Sequence, residues 1–188
     1  MGSWYALPVG LPNALTLIRV LLIPAFATAF LYGRHTLALG IFVGAGVTDA
    51  LDGTLARLNN QQTRLGSFLD PMADKMLLLT SFGLLCYSRE MPVWSLILVL
   101  SREVVVVGGW IIRYLMTRSI IVAPTMLGKA TTMMQVVAAG VFLLNQHVKL
   151  PHDVTVWCLD AAMALTAVSG VDYLYRGLRD LERRSPAG

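Results

Sequence analysis

The chain has 188 residues, 56% of them apolar and only 14% charged, and its mean hydropathy is strongly positive. That balance excludes an ordinary soluble domain, and at about 20 residues per span six membrane helices would use most of the length. The formal charge of +4 would invite a nucleic-acid partner in a soluble protein; here the basic residues fall at span ends, where they set topology and meet acidic lipid, so no nucleic acid is expected.

Residues 1–10 hold no basic run and no small-residue cleavage site, so they do not read as a signal peptide, and the Met-Gly start lacks the Ser or Thr of a myristoylation signal. Hydrophobic runs then predict an all-α fold, an integral membrane bundle of six transmembrane helices at about 15–32, 36–59, 66–88, 92–117, 127–146 and 154–175, forming one membrane domain over 1–188. Asn13, Thr16 and Arg19 recur every third residue, a polar stripe leading into the first span. The fourth span carries Arg102-Glu103 near its middle. Neighbours in sequence point roughly 100° apart on a helix, so these two are expected to seek different partners. Gly40 and Gly44 have the spacing of a small-residue helix contact. Cys86 and Cys158 lack metal-site spacing and read as apolar packing, and His35, His147 and His152 fall at expected outer span ends.

The chemistry concentrates in the second and third spans. Asp49 and Asp52 are three residues apart and Asp70 and Asp74 four apart, so each pair shares one helix face on successive turns. Read as two antiparallel helices joined by Leu58 to Leu65, the stretch aims four carboxylates at one cleft, with Gly66 and Ala56 allowing close approach. Each ionised side chain near the middle of a span costs about 2.5–3.5 kcal/mol, so the set could cost on the order of 10 kcal/mol uncompensated. Arg57, Arg64 and Lys75 are too scattered to balance it. Two divalent ions would, and all-oxygen ligation suits magnesium or manganese. A capping role alone would not require a second carboxylate one turn inside each helix.

The pattern D-x-x-D-G-x-x-A-R, eight residues, G-x-x-x-D-x-x-x-D resembles the signature of the CDP-alcohol phosphotransferases, integral membrane enzymes of phospholipid synthesis. All its fixed positions are filled, by Asp49, Asp52, Gly53, Ala56, Arg57, Gly66, Asp70 and Asp74, which is far more specific than a lone glycine-rich loop. The resemblance implies a six-helix membrane fold, a homodimer, and transfer of the phosphatidyl group of CDP-diacylglycerol to an alcohol with release of CMP. Asp49, Asp52, Asp70 and Asp74 would then hold two magnesium or manganese ions, with Asp74 also accepting the proton of the acceptor hydroxyl. Arg57 would hold pyrophosphate oxygens, Gly53, Ala56 and Gly66 would leave room for the cytidine diphosphate, and Asn13 and Thr16 would line the substrate.

With the amino terminus in the cytoplasm, Arg57, Arg64, Arg113, Arg118, Lys129, Arg176, Arg179, Arg183 and Arg184 fall inside, against Arg34, Arg89 and Lys149 outside. The positive-inside rule therefore puts both termini and the aspartates at the cytoplasmic face, and the membrane is expected to be a bacterial inner membrane. Ser101-Arg102-Glu103, Arg113, Arg118 and the run from Leu127 to Gln135 resemble the phosphatidylglycerophosphate and cardiolipin synthase branch. A phosphate-bearing acceptor needs cations, and Arg113, Arg118 and Lys129 cluster at the expected cytoplasmic mouth, which favours sn-glycerol 3-phosphate. Two departures lean the other way: Thr131 stands where glycerophosphate enzymes usually show a second lysine, and Val107 to Trp110 where they show a Ser-Ala-Leu-Arg-like run. The alternative is a cardiolipin synthase taking CDP-diacylglycerol and phosphatidylglycerol. A divalent-cation transporter, the alternative of another class, would normally need midplane sites and internal symmetry, and the sequence shows neither.

Overall fold

The computed structural model describes the backbone of residues 11–59, 66–117 and 126–182, with side chains at 18–48, 75–109, 126–177 and 179. Among the described residues there are six helices and no strand: α1 (Leu11–Leu31), α2 (His35–Asn59), α3 (Gly66–Tyr87), α4 (Val93–Thr117), α5 (Met126–Val148) and α6 (His152–Glu182). The all-α expectation holds, and each helix coincides with one hydrophobic run. α6 continues past the apolar run to Glu182, a final stretch that carries Arg176 and Arg179. Among the described residues two helical stretches, Met126–Val148 and His152–Gly177, are long and apolar enough to cross a membrane, and α1, α2 and α3 hold shorter apolar stretches.

The described connections are tight because their backbone groups are satisfied locally. After α1, the Arg34 N–H donates to Ala29 O at 2.9 Å and the Gly33 N–H to Phe30 O at 3.0 Å. These are the paired bonds of a Schellman end, and Gly33 takes the left-handed φ of 70° that the motif requires. α3 ends the same way, with Glu90 N–H on Leu85 O and Arg89 N–H on Cys86 O. There Arg89 occupies the left-handed position at φ 63°. α5 is closed by a side chain: the Leu150 N–H donates to Asn145 Oδ1 at 2.7 Å. Pro24 sits inside α1, where its missing N–H leaves the Val20 carbonyl without its helical donor, an interruption that membrane helices tolerate.

The chain forms two compact units, Met1–Leu84 and Leu85–Gly188. In the first, α1 packs on α2. Phe26, Ala29 and Phe30 on one helix and Ala38, Phe42 and Ala45 on the other are all buried, and the Phe26 ring lies 6.1 Å from Phe42 and 6.3 Å from Phe30. Alternation of large rings with alanines lets the helices approach without voids. Arg19 is only 3% exposed, so its head is held within the protein and does not reach outward along the surface.

In the second unit α6 packs on both α4 and α5. Its buried stripe runs Thr155, Leu159, Ala162, Met163, Thr166 and Ser169, and that of α5 runs Gly128, Thr131, Gln135, Ala138, Ala139, Phe142 and Leu143. Outward positions are apolar as well, with Trp157, Val168, Val171 and Val104 well exposed. A polar interior under an apolar exterior suits lipid as the solvent, since lipid supplies no hydrophobic force between helices and packing and hydrogen bonds must hold them. Gln135 Nε2 donates to Thr166 Oγ1 at 2.8 Å, Thr166 Oγ1 to Ala162 O at 2.7 Å, and Thr131 Oγ1 to Leu127 O and across to Leu165 O.

This pairing predicts an asymmetry. Thr166→Val leaves the buried Gln135 amide without its acceptor and should cost about 1–2 kcal/mol, whereas Gln135→Leu removes the amide altogether and should cost under about 1 kcal/mol. Thermal unfolding of the two variants in detergent checks the order, and a larger loss for Gln135→Leu would contradict it.

Candidate functional site

The backbone places the signature on two helices. Asp49, Asp52, Gly53, Ala56 and Arg57 lie in the second half of α2, and Gly66, Asp70 and Asp74 in the first turns of α3. Positions 49, 52, 53 and 56 follow the spacing of one helical stripe and 66, 70 and 74 that of another, so the periodicity inferred from sequence is helical in fact. The side chains of these residues lie outside the described set, as do those of Asn13 and Thr16 in α1 and Arg113 in α4. Arg118 and the segment 60–65 between α2 and α3 fall outside it altogether. Among the described residues no group of three or more His, Cys, Asp or Glu is placed to hold a metal ion. Cys86 and Cys158 are free thiols; Cys86 is buried against Pro92 O and Ser95 Oγ.

Lys129 stands in the first turn of α5 with its side chain exposed. Thr131 and Gln135, on the same helix, are 0% exposed. Position 131 faces α6 through its bond to Leu165 O and contributes a helix-to-helix hydroxyl where the related glycerophosphate pattern would have a second cation.

The structure corrects the reading of Arg102 and Glu103. They do not turn to different partners: the Arg102 Nη1 donates to Glu103 Oε1, and the two side chains are only 6% and 13% exposed. A helix separates adjacent Cα–Cβ vectors by roughly 100°, but a long arginine stem can swing its head back across that angle. The guanidinium also sends Nη2 to Gly128 O on α5 at 3.4 Å and lies 6.0 Å from the Tyr173 ring centroid on α6. One buried cation therefore touches three helices. Sequence alone could not find those partners, which lie 26 and 71 positions away; the signal it did give was a charged pair inside an apolar helix.

A cavity of about 350 Å³ opens at the other end of this unit, between the start of α4, the end of α5 and the start of α6, and is bordered by Glu90, Trp94, Asn145, His152 and Asp160. None of the candidate metal-, donor- or acceptor-binding residues borders it.

Comparison with known proteins gives a consistent answer. The profile of the CDP-alcohol phosphatidyltransferase family matches residues 9–168. A probable phosphatidylglycerophosphate synthase of Mycobacterium tuberculosis H37Rv is 37% identical over 177 residues, covering 91% of this chain and 83% of that protein. The CDP-diacylglycerol–glycerol-3-phosphate 3-phosphatidyltransferase of Bacillus subtilis 168 is 34% identical over 192 residues, covering 92% and 97%. The CMP-forming cardiolipin synthase of Homo sapiens is 31% identical over 202 residues, covering 96% of this chain and 65% of that protein.

The buried pair yields a stability prediction. Removing one member leaves an uncompensated charge, so Arg102→Ala or Glu103→Ala should each cost about 3–5 kcal/mol. The charge-free double variant Arg102→Met/Glu103→Leu should cost less than either single one. Detergent melting curves of all three decide it, and a double variant that loses as much as the two singles combined would contradict the pairing.

Proposed function

The chain belongs to the CDP-alcohol phosphatidyltransferase family, and we propose that it transfers the phosphatidyl group of CDP-diacylglycerol to sn-glycerol 3-phosphate, giving phosphatidylglycerophosphate and CMP. The observation that carries this is the complete signature on α2 and α3 in helical register. The names of the M. tuberculosis and B. subtilis relatives, which cover nearly the whole chain, support the acceptor.

In the proposed reaction a hydroxyl oxygen of the acceptor bonds to the phosphorus that carries the diacylglycerol, and the bond from that phosphorus to CMP breaks, CMP leaving with the electron pair. Asp74 accepts the hydroxyl proton. Arg57 presents a planar fork to two phosphate oxygens, an arrangement a lysine cannot reproduce. Gly53, Ala56 and Gly66 keep their stripes low so that the cytidine diphosphate can lie against helix backbone, with Asn13 and Thr16 lining the same space. Lys129, with Arg113 and Arg118, receives the acceptor's phosphate.

The donor set fits a divalent-metal site: four carboxylates offer only oxygen, two per helix at one-turn spacing, which suits magnesium or manganese. Asp49, Asp52, Asp70 and Asp74 would hold two such ions, which would neutralise charge on the attacked phosphate and on departing CMP. Asp74 serves both purposes.

We place six membrane spans in one domain of an inner membrane, with both termini and the aspartates on the cytoplasmic side; the excess of basic residues at the span ends on that side supports this orientation. That side holds the water-soluble acceptor and takes up CMP. We place the protein there as a homodimer.

A second reading, cardiolipin synthesis from CDP-diacylglycerol and phosphatidylglycerol, is favoured by one observation. Thr131 is buried in the α5–α6 contact, so the second cation of a glycerophosphate site is missing there, and phosphatidylglycerol brings only a phosphodiester to be neutralised. The relatives named as cardiolipin synthases keep this reading in view.

Purified protein with CDP-diacylglycerol and magnesium, offered glycerol 3-phosphate, phosphatidylglycerol, inositol phosphate and serine separately, distinguishes these readings. We expect product with glycerol 3-phosphate; product with phosphatidylglycerol alone would overturn the choice of acceptor. Asp74→Asn should lower turnover by about 10²–10⁴-fold in a protein that still folds, and near-normal turnover would remove its assignment as the base. Arg57→Ala should weaken CDP-diacylglycerol binding with metal affinity retained; unchanged substrate affinity would make the arginine a topology signal.

A further inference from the structure

The two ends of α5 are fixed differently. At its C-terminal end Asn145 caps the Leu150 N–H, and the chain turns directly into α6. At its N-terminal end the Gly128 carbonyl accepts Thr132 Oγ1 at 3.2 Å from its own helix and Arg102 Nη2 at 3.4 Å from α4. The second bond is long but charge-assisted, and it is the reach of a residue that is itself held on several sides. Glu103 pairs with Nη1, the Tyr173 ring lies beside the guanidinium, and a Cβ added at Gly170 would stand 4.0 Å from Arg102 Cγ. Arg102 is thus seated on α6 and reaches to α5. The residue next to Gly128 is Lys129, whose side chain is exposed.

Plain helix packing does not call for this arrangement. A buried cation is costly in a membrane bundle, and an apolar side chain would join α4 to α6 as well without a compensating glutamate. What an apolar side chain cannot do is hold a carbonyl oxygen in the first turn of a neighbouring helix, and so set the height and rotation of the residue that follows it.

We propose that Arg102 is a positioning residue for the acceptor: held by Glu103 and Tyr173, it fixes the Gly128 carbonyl and thereby sets Lys129 where the acceptor's phosphate is received. This rests on the role given to Lys129 above. The acceptor therefore feels Arg102 through α5, without contact, and CDP-diacylglycerol does not feel it by this route. Arg102→Lys keeps a charge for Glu103 but lacks the planar fork that serves Glu103 and Gly128 at once.

The test measures KM for glycerol 3-phosphate and for CDP-diacylglycerol in Arg102→Lys, in Lys129→Ala and in the two combined. Arg102→Lys should raise the acceptor KM about tenfold, the effect of a small misplacement, and leave that for CDP-diacylglycerol unchanged. In the Lys129→Ala background the same change should add nothing, because the residue through which it acts is gone. Effects that multiply, or equal rises for both substrates, would overturn the proposal while leaving the acceptor role of Lys129 intact. A Lys129→Ala protein with unaltered acceptor KM would overturn that role and, with it, the purpose assigned to Arg102. Should Arg102→Lys fail to fold, the charge-free Arg102→Met/Glu103→Leu variant is read by the same two constants. If that variant also fails to fold, Arg102 is a structural residue only and the proposal falls.

Discussion

Four carboxylates at about one-turn spacing on two otherwise largely apolar helices are the constraint on which the account turns. In the proposed membrane fold each ionised aspartate would carry a burial cost, up to about 2.5–3.5 kcal/mol at mid-span, before its repulsion from the next is counted. Asp49 and Asp52 on α2 and Asp70 and Asp74 on α3 place two on each helix. A bundle that keeps all of them must bring in matching positive charge, and side chains alone supply little: Arg57 and Lys75 are the signature helices' own cations. On the proposed reading, divalent ions and a pyrophosphate held by Arg57 would complete the balance. On this view the site is stable when it is loaded, and binding and catalysis draw on the same electrostatic deficit. The small residues Gly53, Ala56 and Gly66 fit the same proposal, since they would let a highly charged ligand lie close to the helix backbone.

The second unit solves the same problem by other means. Its buried charge is self-neutralising, because Glu103 answers Arg102 from the adjacent position. Its buried neutral groups answer each other across helices, Gln135 to Thr166 and Thr131 to Leu165 O. Such bonds do in lipid some of the holding that apolar burial does in water. They sit on the interior stripes of α5 and α6 while the exteriors carry valines and Trp157.

Sequence revealed those features that depend on neighbours along the chain. Six apolar runs gave six helices, and the three- and four-residue spacings of the aspartates fell in helices, because periodicity is a local property. The Schellman ends at Gly33 and Arg89 are local too, but neither was read from the sequence, and Arg89 holds the left-handed position without being a glycine. What sequence could not supply was the partner across space. Gln135 and Thr166 are 31 positions apart and the Arg102 contact with Gly128 spans 26, and nothing in either segment names the other. The Arg102–Glu103 pair was misread for a different reason, since the helical wheel gives the direction of Cβ but not the reach of a long side chain. Of the proposed site, the aspartate pattern was legible because many fixed positions had to coincide, whereas the acceptor residues rest on isolated cations at span ends, where topology alone already demands them.

The central claim is that the four signature aspartates form one ion-binding site, and counting ions tests it without any assumption about the acceptor. Purified protein titrated with manganese and followed by the loss of the free-ion paramagnetic resonance signal should show two bound ions per chain, falling when Asp49, Asp52, Asp70 or Asp74 is changed to Asn in a protein that remains folded. Absence of bound manganese in the wild-type chain, or a count unaffected by all four substitutions, would contradict the account.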